Sequence, residues 1–348
     1  VQSEYVEPID HPEKLVYSAI RGMLLPLNDP YTRYMDPKEY ASFNSDNHGS
    51  FAGIGATLNM VEIPAQEVKS GDGTMAPVVC PACNTVITNT KYYRVSIVET
   101  LPGTPAQQAG LEAGDIVIKV NGTSTDGKSV SEVADLIRGE RGTDVTLTIG
   151  RKDFEKPQEI VITRDIIQVP ATELKMLDDK IGYLRIMQFN EKTAAETQED
   201  LEKLKDAGAQ GLVLDLRNNP GGLLIQCQKV SSMFLPNDKN HDLIVSTKPR
   251  KGEGDKLNRT GPQLWTKPMV VLVNKGSASA SDVLSGALKD HKRAVIIGET
   301  TFGKALVQSV IPLSDGSAMA ITTAHYYTPS GYDVGKRGIT PDQKVELD

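Results

Sequence analysis

Cysteine, histidine, long apolar runs and basic clusters are all sparse in this sequence, and each scarcity removes a class of protein. Three cysteines in 348 residues are too few for a scaffold stapled by disulfides, and their odd number leaves at least one unpaired. No apolar string approaches the roughly 18 residues that a membrane helix needs; the longest, such as 269–273, are strand-sized. The 38 basic residues against 45 acidic ones leave a formal charge of −7, and no basic run builds a field for nucleic acid or an anionic membrane. The nearest, at 248–256, is broken by Glu253 and Asp255 and reads as a solvated loop. The five histidines, His11, His48, His241, His291 and His325, lie in no serine-protease motif.

What is present is the composition of a globular protein, 39% apolar and 24% charged, long enough for two or three domains. Because the chain opens at Val1 rather than at methionine, an upstream segment carrying any secretion signal or anchor is expected. Leu15, Ile20, Met23 and Leu24 have helical spacing and predict a helical arm over 1–50. Short alternating strands separated by glycine follow from Phe51, with a polar insertion at 62–92, up to about residue 165. From Ile181 the pattern alternates strand and helix, which predicts an α/β layer over 166–348.

Within the insertion, Cys80-Pro-Ala-Cys83 has the spacing of half a zinc site. No second CxxC or HxxxH completes it, so a structural zinc at Cys80 and Cys83 needs Cys227, a distant histidine or a second chain. A local disulfide, free thiols, a metal site and redox chemistry all stay open. No other cofactor is expected.

The string Pro105-Ala106-x-x-Ala109-Gly110-Leu111-x-x-Gly114-Asp115-x-Val117-x-x-Val120-Asn121-Gly122 resembles the core signature of PDZ domains. Asn121-Gly122 supplies the positive φ values of a tight hairpin turn. The expected carboxylate loop is Gly53-Ile54-Gly55-Ala56, whose closely spaced amides suit a peptide's terminal carboxylate, with the strand that follows pairing with the peptide backbone.

The strand at 270–273 runs into Asn274-Lys275-Gly276-Ser277-Ala278-Ser279-Ala280-Ser281 and then into a helix with Val283, Leu284, Ala287 and Leu288 on one face. A serine at such a turn is exposed near amides that can hold an oxyanion, and Ser281 is an apt N-cap. A second segment, Gly298-Glu299-Thr300-Thr301-Phe302-Gly303-Lys304-Ala305-Leu306-Val307-Gln308, sets Lys304 among apolar and glycine neighbours, with Gln308 on the same face. A neutral lysine can take a serine's proton if burial lowers its pKa from about 10.4 toward 7–8.

These two segments, with the arm containing Ala19-Ile20-Arg21-Gly22-Met23 and Asp29-Pro30-Tyr31 and the end at Gly338-Ile339-Thr340-Pro341-Asp342, resemble the carboxyl-terminal processing peptidases of the S41 family over nearly the whole chain. The resemblance implies a multidomain α/β fold: a β-rich PDZ domain inserted between a helical N-terminal arm and an α/β protease core of the ClpP/crotonase-like type. It makes Ser279 the nucleophile, Lys304 the general base and Gln308 the residue that orients it. In Leu214-Asp215-Leu216-Arg217-Asn218-Asn219-Pro220-Gly221-Gly222, the role of oxyanion donor falls to Gly221 or Gly222, with the Ala280 amide as the second. Asp215 and Arg217 are expected as a structural ion pair. Asp282 and Ala305 stand where the family more often has Glu and Gly, and neither is expected to touch the dyad.

The function so implied is a serine endopeptidase that takes the C-terminal region of protein substrates through its PDZ domain and cleaves through an acyl-enzyme. The alternative is a catalytically silent PDZ-containing binding protein, with Lys304 pinned to Glu299. The resemblance also implies an extracytoplasmic location, periplasmic, secreted or membrane-tethered, and a homodimer; no nucleic-acid partner is expected.

Overall fold

Two large hydrophobic cores and a small cluster of Met35, Ala318 and Ala320 organise the described residues. The computed structural model describes residues 5–63, 78–79, 86–87, 92–177, 180–335 and 337–346. Cys80 and Cys83, and with them the possible zinc or disulfide, lie outside these residues. Cys227 is buried with a free thiol. The chain divides into two units, Val1–Gly49 with Val169–Asp348, and Ser50–Gln168. The arm is therefore part of the same unit as the α/β layer.

In the larger unit a six-stranded sheet runs in the order Thr172–Leu177, Ile181–Ile186, Gly211–Asp215, Met269–Val273, Val295–Gly298 and Gln343–Lys344. Its first pair is antiparallel and the remaining neighbours are parallel. Parallel neighbours require a crossover, and the helices Thr193–Asp206 and Ala280–Asp290 supply two of them. Ala194, Thr197, Leu201 and Leu204 fall on one stripe of the first helix and are buried. The second is buried from Ala280 to Leu288, and Leu284 and Leu288 share a core with Leu214, Val271 and Ile296.

A second sheet is built around Ala318–Tyr327. This strand pairs with Arg33–Met35 through 318–320, with Leu306–Pro312 through 318–325 and with Leu243–Pro249 through 324–327. It thereby fixes the residues just before Arg33 and just before Leu306. The stretch after Arg33–Met35 forms a helix, Pro37–His48, where Asp36 and Glu39 close a capping box. The arm helix Glu13–Leu24 buries none of its residues.

The smaller unit has a sheet in the order Gln158–Thr163, Asp144–Gly150, Ile116–Val120, Tyr92–Thr100 and Ala56–Ile63. Asn121 and Gly122 take φ of 48° and 77°, and Val120 pairs with Thr123, as the hairpin turn requires. The helix Val130–Ile137 starts in a Ser129/Glu132 capping box and buries Val133 and Ile137 against Val95, Ile97 and Leu147. Asp115 is fully buried and held by Arg151 at 2.6 and 2.8 Å, so this acidic residue anchors the strand it precedes.

Candidate active site

Three serines alternate after strand Met269–Val273, and burial separates them. Ser277 Oγ donates to the Leu216 carbonyl at 2.7 Å and Ser281 Oγ to the Asn219 carbonyl at 3.0 Å; both side chains are fully buried. Ser279 instead lines a cavity of about 560 Å³. It holds φ 55° and ψ −110°, a conformation that costs a non-glycine residue about 1–3 kcal/mol. The helix N-cap is Ser279, not Ser281 as its place in the sequence suggested, because the Asp282 carboxylate reaches back to the Ser279 amide at 2.7 Å.

Strands Gly211–Asp215 and Met269–Val273 are parallel neighbours, so their carboxyl ends bring the turn 216–222 against 274–280. The Ala278 amide donates to the Asn219 carbonyl at 3.0 Å, and Asn218 and Asn274 exchange two hydrogen bonds of 2.9 Å. A Cβ on Gly221 would lie 2.6 Å from Ser279 Cβ, and one on Gly222 would lie 2.2 Å from the Phe189 carbonyl oxygen; only glycine fits either place. The Gly221 amide already donates to Asn219 Oδ1 at 2.9 Å, which makes it a poor oxyanion donor. Among the described residues the Gly222 and Ala280 amides have no such acceptor. Asp215 and Arg217 form the expected ion pair at 2.6 Å, with the Tyr183 hydroxyl donating to the same carboxylate. Burial pushes the Asp215 carboxyl up, but hydrogen bonds from Arg217 and Tyr183 outweigh it and hold the group below the usual carboxylate range.

Asp282 ties the serine to the lysine. Its buried carboxylate accepts from the Ser279 amide at 2.7 Å, the Lys304 amide at 3.0 Å, the Gly303 amide at 3.2 Å and the Thr301 hydroxyl. The expectation that this position leaves Ser279 and Lys304 untouched is therefore overturned: one carboxylate holds the backbone amides of both. Burial raises the Asp282 pKa against the pull of these donors.

Lys304 is half-buried, and burial, followed by the charge of Arg33, pulls its pKa below 10.5 while Asp29 opposes them. Among the described residues no hydrogen bond joins Lys304 Nζ to Ser279 or Gln308. Its Nζ sits over the Tyr31 ring, 4.4 Å from the centroid. Gln308 also departs from its expected role, for its side-chain amide donates to Thr322 Oγ1 at 3.3 Å rather than holding Lys304. A register shift between Val307 and Gln308 breaks the even strand step on which that expectation rested. Glu299 pairs with Lys275 at 2.9 Å, so the ion pair that would silence Lys304 is not formed.

The cavity gathers Ser279, Lys304, Gln308 and Gly222 with Tyr31 and Arg33. Sequence reasoning missed the last two and Asn219. Tyr31 stood in the Asp29-Pro30-Tyr31 landmark, yet a local turn carries no sign that the sheet returns it to residue 304.

In the smaller unit, Gly53, Ile54, Gly55 and Ala56 line a separate apolar pocket of about 200 Å³ with Leu58, Val130, Ala134 and Ile137. Gly55 has φ +80°, and a Cβ there would lie 2.4 Å from Thr104 Cβ. The carbonyls of Ile54 and Gly55 accept from Ala106 and Leu101, while among the described residues their amides find no backbone acceptor.

Compared with known families, residues 180–345 match the model of peptidase family S41, 97–151 that of the PDZ domain and 1–39 that of the activating protease CtpB N-terminal domain. A carboxy-terminal-processing protease of Bartonella bacilliformis is 40% identical over 99% of this chain and 73% of its own length. The carboxy-terminal processing protease CtpA of Bacillus subtilis is 37% identical over 100% and 67%. Among solved structures, a photosystem II D1 C-terminal processing protease is 33% identical with a TM-score of 0.56, over 99% of this chain and 85% of that one.

Proposed function

The chain belongs to peptidase family S41 and is a C-terminal-processing serine protease with a PDZ domain; from that premise we infer that it works through a Ser279/Lys304 dyad and an acyl-enzyme. The neutral Lys304 amine takes the Ser279 Oγ proton as Oγ attacks the scissile carbonyl carbon. The resulting oxyanion is held by the Gly222 and Ala280 amides, with the amino end of helix Ala280–Asp290 behind them. The Lys304 ammonium then gives its proton to the leaving amine. Water, deprotonated by the now neutral Lys304 amine, attacks the ester carbonyl, and collapse of the tetrahedral intermediate breaks the bond to Oγ, which takes the proton back from Lys304, and frees the new C-terminal acid.

The observation that carries this reading is that Ser279 and Lys304 line one cavity while the Asp282 carboxylate holds both of their amides. Ser279→Ala and Lys304→Ala are each expected to lose peptide hydrolysis, and a fluorophosphonate is expected to label Ser279. Full hydrolysis by both variants overturns the dyad.

The pocket at Gly53–Ala56 supports capture of a peptide's C-terminal residue, its carboxylate on the amides of Ile54 and Gly55 and its side chain among Leu58, Val130 and Ala134. The partner along the arm is a second copy of the chain. The helix Glu13–Leu24 buries no residue, and Leu15, Val16, Met23, Leu25 and Leu27 are all exposed. A monomeric mass in light scattering would remove the dimer. Work outside the cytoplasmic membrane completes the reading, tested by protease accessibility in intact cells; no described helix is long and apolar enough to cross a membrane.

A further inference from the structure

Lys304 has no hydrogen-bonding partner at its Nζ among the described residues, yet it has a seat: the Tyr31 ring centroid lies 4.4 Å away, inside the roughly 6 Å reach of a cation over an aromatic face. The seat is rigid. The Tyr31 amide donates to Asp29 Oδ1 at 3.0 Å, the Thr32 hydroxyl to Asp29 Oδ2 at 2.7 Å, and the Thr322 amide to Thr32 Oγ1 at 3.0 Å. Two residues on, Arg33 enters the strand that pairs with Ala318–Tyr327.

We propose that Tyr31 is a positioning residue for Lys304, whose ring parks the lysine as an ammonium beside the nucleophile and releases it as a neutral amine when it acts as base. This rests on the Ser279/Lys304 reading. The physical reason is selectivity for charge: the negative face of a ring attracts an ammonium and offers a neutral amine little. Parking therefore favours the protonated, inactive form, and loss of the proton frees the side chain to turn toward Ser279 Oγ.

The other groups around Lys304 pull in different directions. Arg33 lines the same cavity and Asp29, which accepts from the Tyr31 amide, acts on Lys304 through its charge; Tyr40 comes from helix Pro37–His48 and Tyr326 from the sheet, and Asp282 faces the Lys304 backbone amide. Arg33 and burial disfavour the ammonium, while Asp29 favours it. Without the ring, burial and Arg33 meet less opposition.

The test is the pH dependence of Ser279 labelling by a fluorophosphonate in the full chain, with phenylalanine, 3,4,5-trifluorophenylalanine and leucine in turn at position 31. Fluorination keeps the ring's shape and withdraws the negative charge from its face, so this variant tests the idea even if Tyr31→Leu fails to fold. Tyr31→Phe is expected to keep the wild-type acid limb. The trifluorinated ring and Tyr31→Leu are expected to move it down by about half a unit to one unit, with faster labelling at pH values below the wild-type limb. An acid limb that stays in place across the series, or rises, overturns the role of Tyr31. Lys304→Ala keeps the two ideas apart: if it labels as fast as wild type with the same pH profile, the dyad itself has failed, whatever the ring does.

Discussion

Ser279 stands at φ 55° because its neighbours leave it no other place: Ser277 and Ser281 are tied inward to the turn at 216–219, and Asp282 holds its amide. The same crowding gives glycine 222 its role. Gly222→Ala would put a Cβ 2.2 Å from the Phe189 carbonyl and force the turn away from Ser279. The expected result is a fall in melting temperature equivalent to about 1–3 kcal/mol and a loss of kcat on the order of a hundredfold or more. Gly208→Ala, at φ +79° with nothing within 4 Å, is the control that keeps its activity. For Lys304 the sign of the pH effect follows from its neighbours. Its folded pKa lies below its ordinary value, so kcat/KM rises with pH along a limb below 10.5. Arg33→Gln removes a repelling cation, and a pH–rate profile should show that limb at higher pH.

At the scale of an element, the amino end of helix Ala280–Asp290 does more than stop a strand. Its third residue, Asp282, collects the amides of Ser279, Gly303 and Lys304 and the hydroxyl of Thr301, so one helix terminus ties the segment of Ser279 to that of Lys304. Asp282→Ala leaves all four donors without an acceptor in a buried site. Hydrogen bonds to a charged group contribute about 1.5–3 kcal/mol each. Part of that is offset, because the carboxylate no longer has to be buried. Activity is expected to fall at least tenfold and melting temperature with it; a variant with unchanged kcat would show that the carboxylate sets no catalytic spacing.

Across the whole molecule, each of the two units has its own core and its own concave site; on the function proposed above, the smaller captures substrate and the larger cleaves it. A charge placed in the apolar pocket of the smaller unit should therefore damage substrate capture and spare the chemistry. Ala134→Glu is expected to raise KM for a protein with an apolar C-terminus while the rate of fluorophosphonate labelling at Ser279 stays at the wild-type value. Equal losses in both measurements would mean that the pocket is not a docking site for substrate.

Local patterns determined a good deal of this by themselves. The Asn121-Gly122 turn, the capped helix Val130–Ile137 and the alternation of strand and helix after Ile181 depend on spacing and turn chemistry between near neighbours in the chain. The segments containing Ser279, Lys304 and Gly221-Gly222 stood out as short motifs, and it was their resemblance to the S41 family that singled out Ser279 among the three serines and Gly221 or Gly222 in the glycine turn. Contacts between distant residues were not. Three serines at alternate positions look alike until Leu216 and Asn219 claim two of them. The Gly221 amide looks free until Asn219 takes it, and Gln308 looks paired with Lys304 until the register shift sends it to Thr322. The contacts of Asp282 with the Ser279 and Lys304 amides, and of Tyr31 with Lys304, exist only because the fold brings Tyr31, Ser279 and Lys304 to one cavity; hydrogen bonds and ring contacts depend on separation in space, which a linear pattern encodes only between neighbours.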